Sequence, residues 1–262
     1  MTDSSHFDYI IIGNGLAGLQ LALKLTLDSY FSDKSIALID ASPKNSNDKT
    51  WSFWETNKSP WDNIIHKSWQ NASVITTNKK IDLKLDPYSY KTIRAIDFYQ
   101  KAKEKLKQQS NIKFIIEHVI SVDESDKLTV NTKENSYIAN HVFDSRVPEE
   151  FYTSSNDSIS ITQHFKGWII KTESETFDDN NIIMMDYRLK DGAQTTFTYV
   201  LPFSKTEALV EFTYFNENLV EEHIYDGFIK QYIKDYLKIK DYSVIETEKG
   251  QIPMTNFPFE TF

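Results

Sequence analysis

Cysteine is absent from the 262 residues, which excludes disulfides, thiolate catalysis and Cys-ligated metal sites. A surplus of positive charge is missing as well: 29 Lys and Arg stand against 38 Asp and Glu, a formal charge of −9. Phosphate contacts need clustered Lys and Arg, so the chain is not expected to bind nucleic acid. The one basic run, residues 101–107, reads as a solvated helix face. Long apolar runs are lacking too. The first apolar stretch has no basic segment before it and is broken by Asn14, Gln20 and Lys24, so neither a signal peptide nor a spanning helix is expected, and the chain is expected to stay inside the cell. The six histidines show no H-x-x-x-H spacing, so no metal site is expected. With 40% hydrophobic and 26% charged residues and no repeat or low-complexity tract, the composition is that of a folded protein.

Glycine is scarce, and three of the seven fall in one place. Gly13-Asn14-Gly15-Leu16-Ala17-Gly18 matches G-x-G-x-x-G between a short apolar strand, residues 7–12, and a helix, residues 16–27, with Leu and Ala at helical spacing. The first glycine allows the tight turn, the second admits a pyrophosphate against bare backbone, and the third lets helix and strand pack closely. A second apolar strand, residues 35–40, ends in Asp40, close to the spacing expected for an acid that binds ribose hydroxyls. Strand, helix and strand make a parallel βαβ unit of the kind that feeds doubly wound sheets. The pattern predicts a bound dinucleotide and does not separate flavin from nicotinamide.

Further along, strands are expected over 73–77 and 80–85, a charged helix over 97–109 with Asp97 as its cap, and strands over 111–117, 119–123, 127–131 and 141–144. From residue 163 longer alternating strands, 168–172, 195–201 and 208–215, suit an antiparallel sheet with one covered face. A helix follows over about 221–237. The expected fold is α/β: an FAD/NAD(P)-binding Rossmann-like doubly wound domain over 1–150, possibly discontinuous, and an antiparallel-sheet substrate domain over 151–262. Aromatics make up 14% of the chain, and Trp51, Trp54, Trp61 and Trp69 crowd one stretch, as a core or a pocket for a long apolar ligand would require.

Several stretches resemble the lycopene β-cyclases, and they occur in that family's order. Lys49-Thr50-Trp51-Ser52-Phe53 is similar to its Thr-Trp-Ser signature, Gln163-His164-Phe165-Lys166-Gly167 to its Q-x-F-x-G segment, and Met185-Asp186-Tyr187-Arg188 to its Met-Asp motif. Tyr199-Val200-Leu201-Pro202-Phe203-Ser204 with Leu209-Val210-Glu211-Phe212-Thr213-Tyr214 resembles the segment that ends in a Glu-acid-Thr catalytic signature, and Gly250-Gln251-Ile252-Pro253-Met254 its G-x-I-P element. Two departures stand out. Phe212 replaces the second acid of the catalytic pair, and family members continue past the G-x-I-P element into a second glycine-rich flavin-contacting motif and a C-terminal helical part. This sequence stops at Phe262, as a fragment would.

The resemblance implies cyclisation of the ψ-end groups of lycopene or a related linear carotenoid to β-ionone rings: an acid protonates the terminal double bond, the chain closes through a carbocation, and a base removes a ring proton. It implies reduced FAD, with NAD(P)H as its reductant and no net redox change, and a cytoplasmic enzyme peripheral on the inner face of the membrane. Glu211 is then the key acid, since a carboxyl beside an apolar polyene is desolvated and its pKa raised; strand alternation alone equally permits an ordinary solvent-facing carboxylate. Asp186 is the second catalytic candidate, and Arg188, Trp51 and Tyr214 are candidates for the substrate site. Cofactor contacts are expected at Gly13, Gly15, Gly18, Asp40, Arg94 and Asp144. Two other functions fit the same motifs: an FAD-dependent monooxygenase or prenyl reductase of the same superfold, and a truncated flavin-fold module without turnover.

Overall fold

The computed structural model describes residues 6–153 and 158–259. In chain order the elements are β1 (His6–Ile12), α1 (Leu16–Leu25), β2 (Ile36–Asp40), β3 (Thr50–Glu55), β4 (Lys67–Trp69), β5 (Asn71–Ile75), β6 (Lys80–Lys84) and β7 (Ser89–Arg94). Then come α2 (Ala95–Leu106), β8 (Ile112–Ile116), β9 (Val119–Glu124), β10 (Leu128–Thr132), β11 (Ser136–Asp144), α3 (Glu150–Thr153) and β12 (Ser160–Lys171). The last are β13 (Asn181–Asp186), β14 (Thr195–Ser204), β15 (Glu207–Asn216), α4 (Glu222–Asp235) and β16 (Ser243–Thr255). Two compact units form, Met1–Thr50 with Arg94–Thr153 and Trp51–Ile93 with Ser154–Phe262. Residues 51–93, assigned by sequence to the first domain, therefore group with the second.

The first unit holds the sheet β8-β2-β1-β11-β10-β9. Its first four strands are parallel, and β10 and β9 return antiparallel. Ile10, Ile11 and Ile12 of β1 and residues 36–39 of β2 are all buried, as continuous apolar runs in parallel strands must be when helices cover the sheet. Helix α1 buries Leu19, Ala22 and Leu25, and α2 buries Phe98, Tyr99, Ala102 and Leu106, each set on one helical stripe. Each large apolar side chain so buried stabilises by about 1.5–3 kcal/mol. Asp97 does not cap α2: the helix starts directly from β7 with Arg94 at the N-cap, and Asp97 sits in the first turn, where its charge favours the helix dipole instead.

The second unit is a seven-stranded sheet, β16-β12-β15-β14-β13-β5-β6, and a three-stranded one, β3-β7-β4. The large sheet is antiparallel as expected except where β13 runs parallel to β5. Its two faces bury different cores. On one, Val210, Phe212, Tyr214, Val200 and Trp168 pack under α4 with Tyr225, Ile229, Tyr232 and Ile233. On the other, Leu209, Leu201, Ile169 and Ile182 pack with Trp69 of β4 and Tyr90 of β7, so the small sheet covers this face. The indole N–H of Trp69 donates to the Pro202 carbonyl at 3.0 Å, fixing the two sheets to each other.

Candidate functional site

In the first unit the ends of β1, β2 and β11 meet at one edge of the sheet: Ile12 pairs with Ile39 on one side and Asp144 on the other. The turn that leaves β1 there cannot be built without glycine. Gly13 has φ +100°, and a Cβ on it would lie 2.1 Å from Ser145 Oγ. At Gly18 a Cβ would lie 1.9 Å from the Gly13 carbonyl oxygen and 3.1 Å from Ile11 Cγ2, so α1 approaches β1 only because Gly18 lacks a side chain. Gly15 differs, since nothing lies within 4 Å of where its Cβ would be.

Backbone N–H groups at the start of α1 have no side-chain cap, and its first turn carries no acid. Beside them the Asn14 side-chain oxygen is buried without a partner. Asp40 accepts the Asn14 N–H on Oδ2 and the Ser42 N–H on Oδ1, both at 2.7 Å, which ties the end of β2 to the glycine turn. A carboxylate accepts about four hydrogen bonds, so ribose hydroxyls still have acceptor sites on it. Open space at Gly15, uncapped amides and a fixed acid together fit a dinucleotide whose pyrophosphate rests on the helix N-terminus. Asp144 lies at the same edge but is held by Arg146, whose Nη2 comes within 2.6 Å and which also donates to the Val119 and Ile120 carbonyls. Arg94 is half-buried at the N-cap of α2.

In the second unit, register separates the candidates that sequence grouped together. Glu211 pairs with Tyr199 of β14 and Gly167 of β12, and lies on the face covered by the small sheet. It is 7% exposed. Its Oε1 accepts the Thr213 hydroxyl at 3.0 Å. Burial, reinforced by the negative charge of Glu248 and opposed by that hydrogen bond, pushes its carboxyl up to about 8. Near it, Tyr199 donates to the Tyr90 hydroxyl at 2.7 Å, and burial raises the pKa of both phenols. Ser52, whose hydroxyl donates to Thr92 Oγ1 at 3.1 Å, sits against the same phenols. The ring of Trp54 stands 4.7 Å from that of Tyr90.

Asp186, Arg188 and Tyr214 are on the other face, under α4. Asp186 pairs with Thr198, and Thr198 with Phe212. Its fully buried carboxylate takes the Arg188 guanidinium at 2.5 Å and the Tyr232 hydroxyl at 2.7 Å, while Arg188 lies over the Tyr236 ring. Tyr214 stacks on His164 and donates to Asp191 Oδ2 at 3.0 Å. These three side chains therefore do not meet Glu211. Phe212 shares their face, so a second acid at that position would also point away from Glu211. Trp51 stands between Ser52 and Trp54 on β3, the two residues of that strand that approach Tyr90. Sequence reasoning missed Tyr90 and Tyr199, although Tyr199 stands directly across from the acid and Ser52 belongs to the Thr-Trp-Ser stretch. Among the described residues no group of three His, Asp or Glu could hold a metal ion.

The model of a family described as lycopene cyclase protein matches residues 8–261. No curated protein sequence matches the chain. Among solved structures, a geranylgeranyl bacteriochlorophyll reductase-like protein from Thermoplasma acidophilum is similar with a TM-score of 0.68 and 11% identity, over 95% of this chain and 66% of its own. A flavin-dependent brominase has a TM-score of 0.64 and 13% identity, over 97% and 69%. A halogenase in complex with phloroglucinol and FAD has 0.62 and 12%, over 94% and 59%. At these identities the likeness shows the fold, which is that of FAD-dependent reductases and halogenases, and the chain spans about two thirds or less of the length of the first and last of these proteins.

Proposed function

Because this chain belongs to the lycopene cyclase family, we propose that it is the part of a carotenoid cyclase that binds FAD and carries the acid for ring closure at the ψ-ends of lycopene or a related linear carotenoid. The observation that carries the reading is Glu211: a carboxyl sealed between two sheets, with its pKa raised to about 8, beside Tyr199, Tyr90 and the Thr-Trp-Ser strand. At neutral pH such a group is protonated and can act as a general acid.

Glu211 gives its proton to the terminal double bond, and the cation formed is attacked by the next double bond of the chain, closing a six-membered ring. Loss of a proton from the carbon next to the new cationic centre restores the alkene, so the reaction is an isomerisation. Phenol rings at Tyr90 and Tyr199 and the indole of Trp54 offer π-faces to positive charge on this side of the sheet. The Gly13–Gly18 turn and Asp40 would hold FAD, which in its reduced form, with NAD(P)H as reductant, would supply an electron-rich ring.

Lycopene is dissolved in lipid, so the enzyme is proposed to sit peripherally on the cytoplasmic face of the membrane. No helix among the described residues is long and apolar enough to cross, and Ile245, Ile252, Met254 and Phe259 expose apolar surface in the second unit, which supports attachment through an apolar rim. The test is expression of the protein carrying this chain in a lycopene-accumulating host, beside its Glu211→Gln variant. Cyclic carotenoid from the first, a fall of at least about 10²-fold in the second and unchanged flavin binding are expected. Equal ring formation by the variant rejects the acid, and lycopene alone from both rejects the activity.

A further inference from the structure

Glu211 is one of two carboxyls that face each other across a missing side chain. Gly167 of β12 stands directly opposite Glu211, and Glu248 of β16 directly opposite Gly167. A Cβ at Gly167 would lie 2.8 Å from Leu209 Cδ1, 3.3 Å from Glu211 Cβ and 3.4 Å from Glu248 Cγ. Strands two apart in a sheet are separated by about 9–10 Å, and the side chain of the strand between them normally keeps their residues apart. Here the middle strand contributes no side chain, and the space beside Gly167 is bounded by Leu209 and the two glutamates. We propose that Glu248 is the second carboxyl of the acid site, a positioning residue that acts through Glu211 by keeping the proton on it; this rests on the reading of Glu211 as the acid.

The surroundings favour this over a chance pairing. After burial, the negative charge of Glu248 is the largest cause of the rise in the Glu211 pKa. Two neighbouring carboxyls resist ionising together, so the charged one holds its partner neutral. Among the described residues, Glu248 is the one charged group that raises the Glu211 pKa; Tyr199 and Tyr90 are phenols with raised pKa values. The residue next in sequence cannot supply the charge, since Phe212 points under α4. Glu248 is half-exposed and Glu211 sealed, so a charge costs more on Glu211 than on Glu248. Once Glu211 has given its proton to the substrate, two carboxylates are left side by side, and their repulsion favours return of the ring proton to Glu211. Proton given and proton regained balance without a further reactant.

The experiment is an isotope-edited infrared titration of the purified chain carrying 13C-glutamate, the protonated carboxyl band of Glu211 being identified by its loss in Glu211→Gln. In the unsubstituted chain the band is expected to disappear with a midpoint near pH 8. In Glu248→Gln, isosteric and on an exposed edge strand, the midpoint falls by on the order of one pH unit, and in Glu248→Asp, which keeps the charge, it stays close to the original. The alkaline limb of ring formation in the whole protein moves with it. A midpoint that does not move in Glu248→Gln overturns the proposal. Because the titration needs no turnover, a shifted midpoint in a protein that makes no rings upholds the pair while rejecting the cyclase reading.

Discussion

A carboxyl that is neutral at pH 7 leaves a mark on stability as well as on chemistry. Glu211 ionises near its ordinary value of 4.5 in the unfolded chain and near 8 when folded. Between those values the folded state holds one proton more, so this residue's contribution is fully present below about pH 4.5 and is lost as pH rises through about 8. The swing is on the order of a few kcal/mol. Glu211→Gln removes it. Thermal melting should show the variant gaining on the parent as pH rises from 4.5 to 8, with no further gain above; a difference independent of pH contradicts the assigned protonation. That this side chain is enclosed was not legible in its own strand, because alternation allowed either face and the cover comes from β3, β7 and β4, far away in sequence. The resemblance alone singled it out. Asp186, Arg188 and Tyr214 were drawn to it by closeness in the family's motifs, but a shift of one position along a strand puts a side chain on the opposite face.

Among elements, the turn into α1 was the most legible, because each glycine does a separate physical job that leaves its own sequence signal. Those jobs can be separated by substitution. Gly15→Ala meets nothing in the folded chain, so its melting temperature should fall by no more than the small cost of alanine at the N-cap of α1, while flavin binding, read by fluorescence titration, weakens at least about tenfold, the equivalent of about 1.4 kcal/mol. Gly18→Ala collides with the Gly13 carbonyl and should lose stability and binding together. Unimpaired flavin binding by Gly15→Ala would mean that the pyrophosphate does not approach this residue. Helix α4 offers a second test. Its Tyr232 donates to buried Asp186, and Tyr232→Phe should cost about 1.5–3 kcal/mol in urea unfolding, with ring formation lost only in proportion to folded protein. A selective loss of activity would show that Asp186 serves the acid site after all. Strand β16 escaped the sequence reading because its residues are mostly exposed and lack a clean apolar alternation. The start of α2 was misplaced because Arg94 gives no capping signal.

Across the whole molecule, the sequence made the class of fold plain and the path of the chain through it obscure. The first unit is written in consecutive apolar strands and one glycine motif; the second takes residues 51–93 from the middle of the first, and no Gly/Pro-rich linker marks the crossing. Structural neighbours include a reductase-like protein and halogenases, so the sharpest question about the reaction is whether electrons move. The direct measurement is ring formation in D2O, by the protein carrying this chain and its reduced flavin without oxygen, with mass analysis of the product and the flavin spectrum followed together. Acid-initiated closure, with the Glu211 proton exchanging with solvent between turnovers, predicts one deuterium per ring and a flavin that stays reduced. Rings without deuterium, or flavin oxidised in step with product, would contradict it.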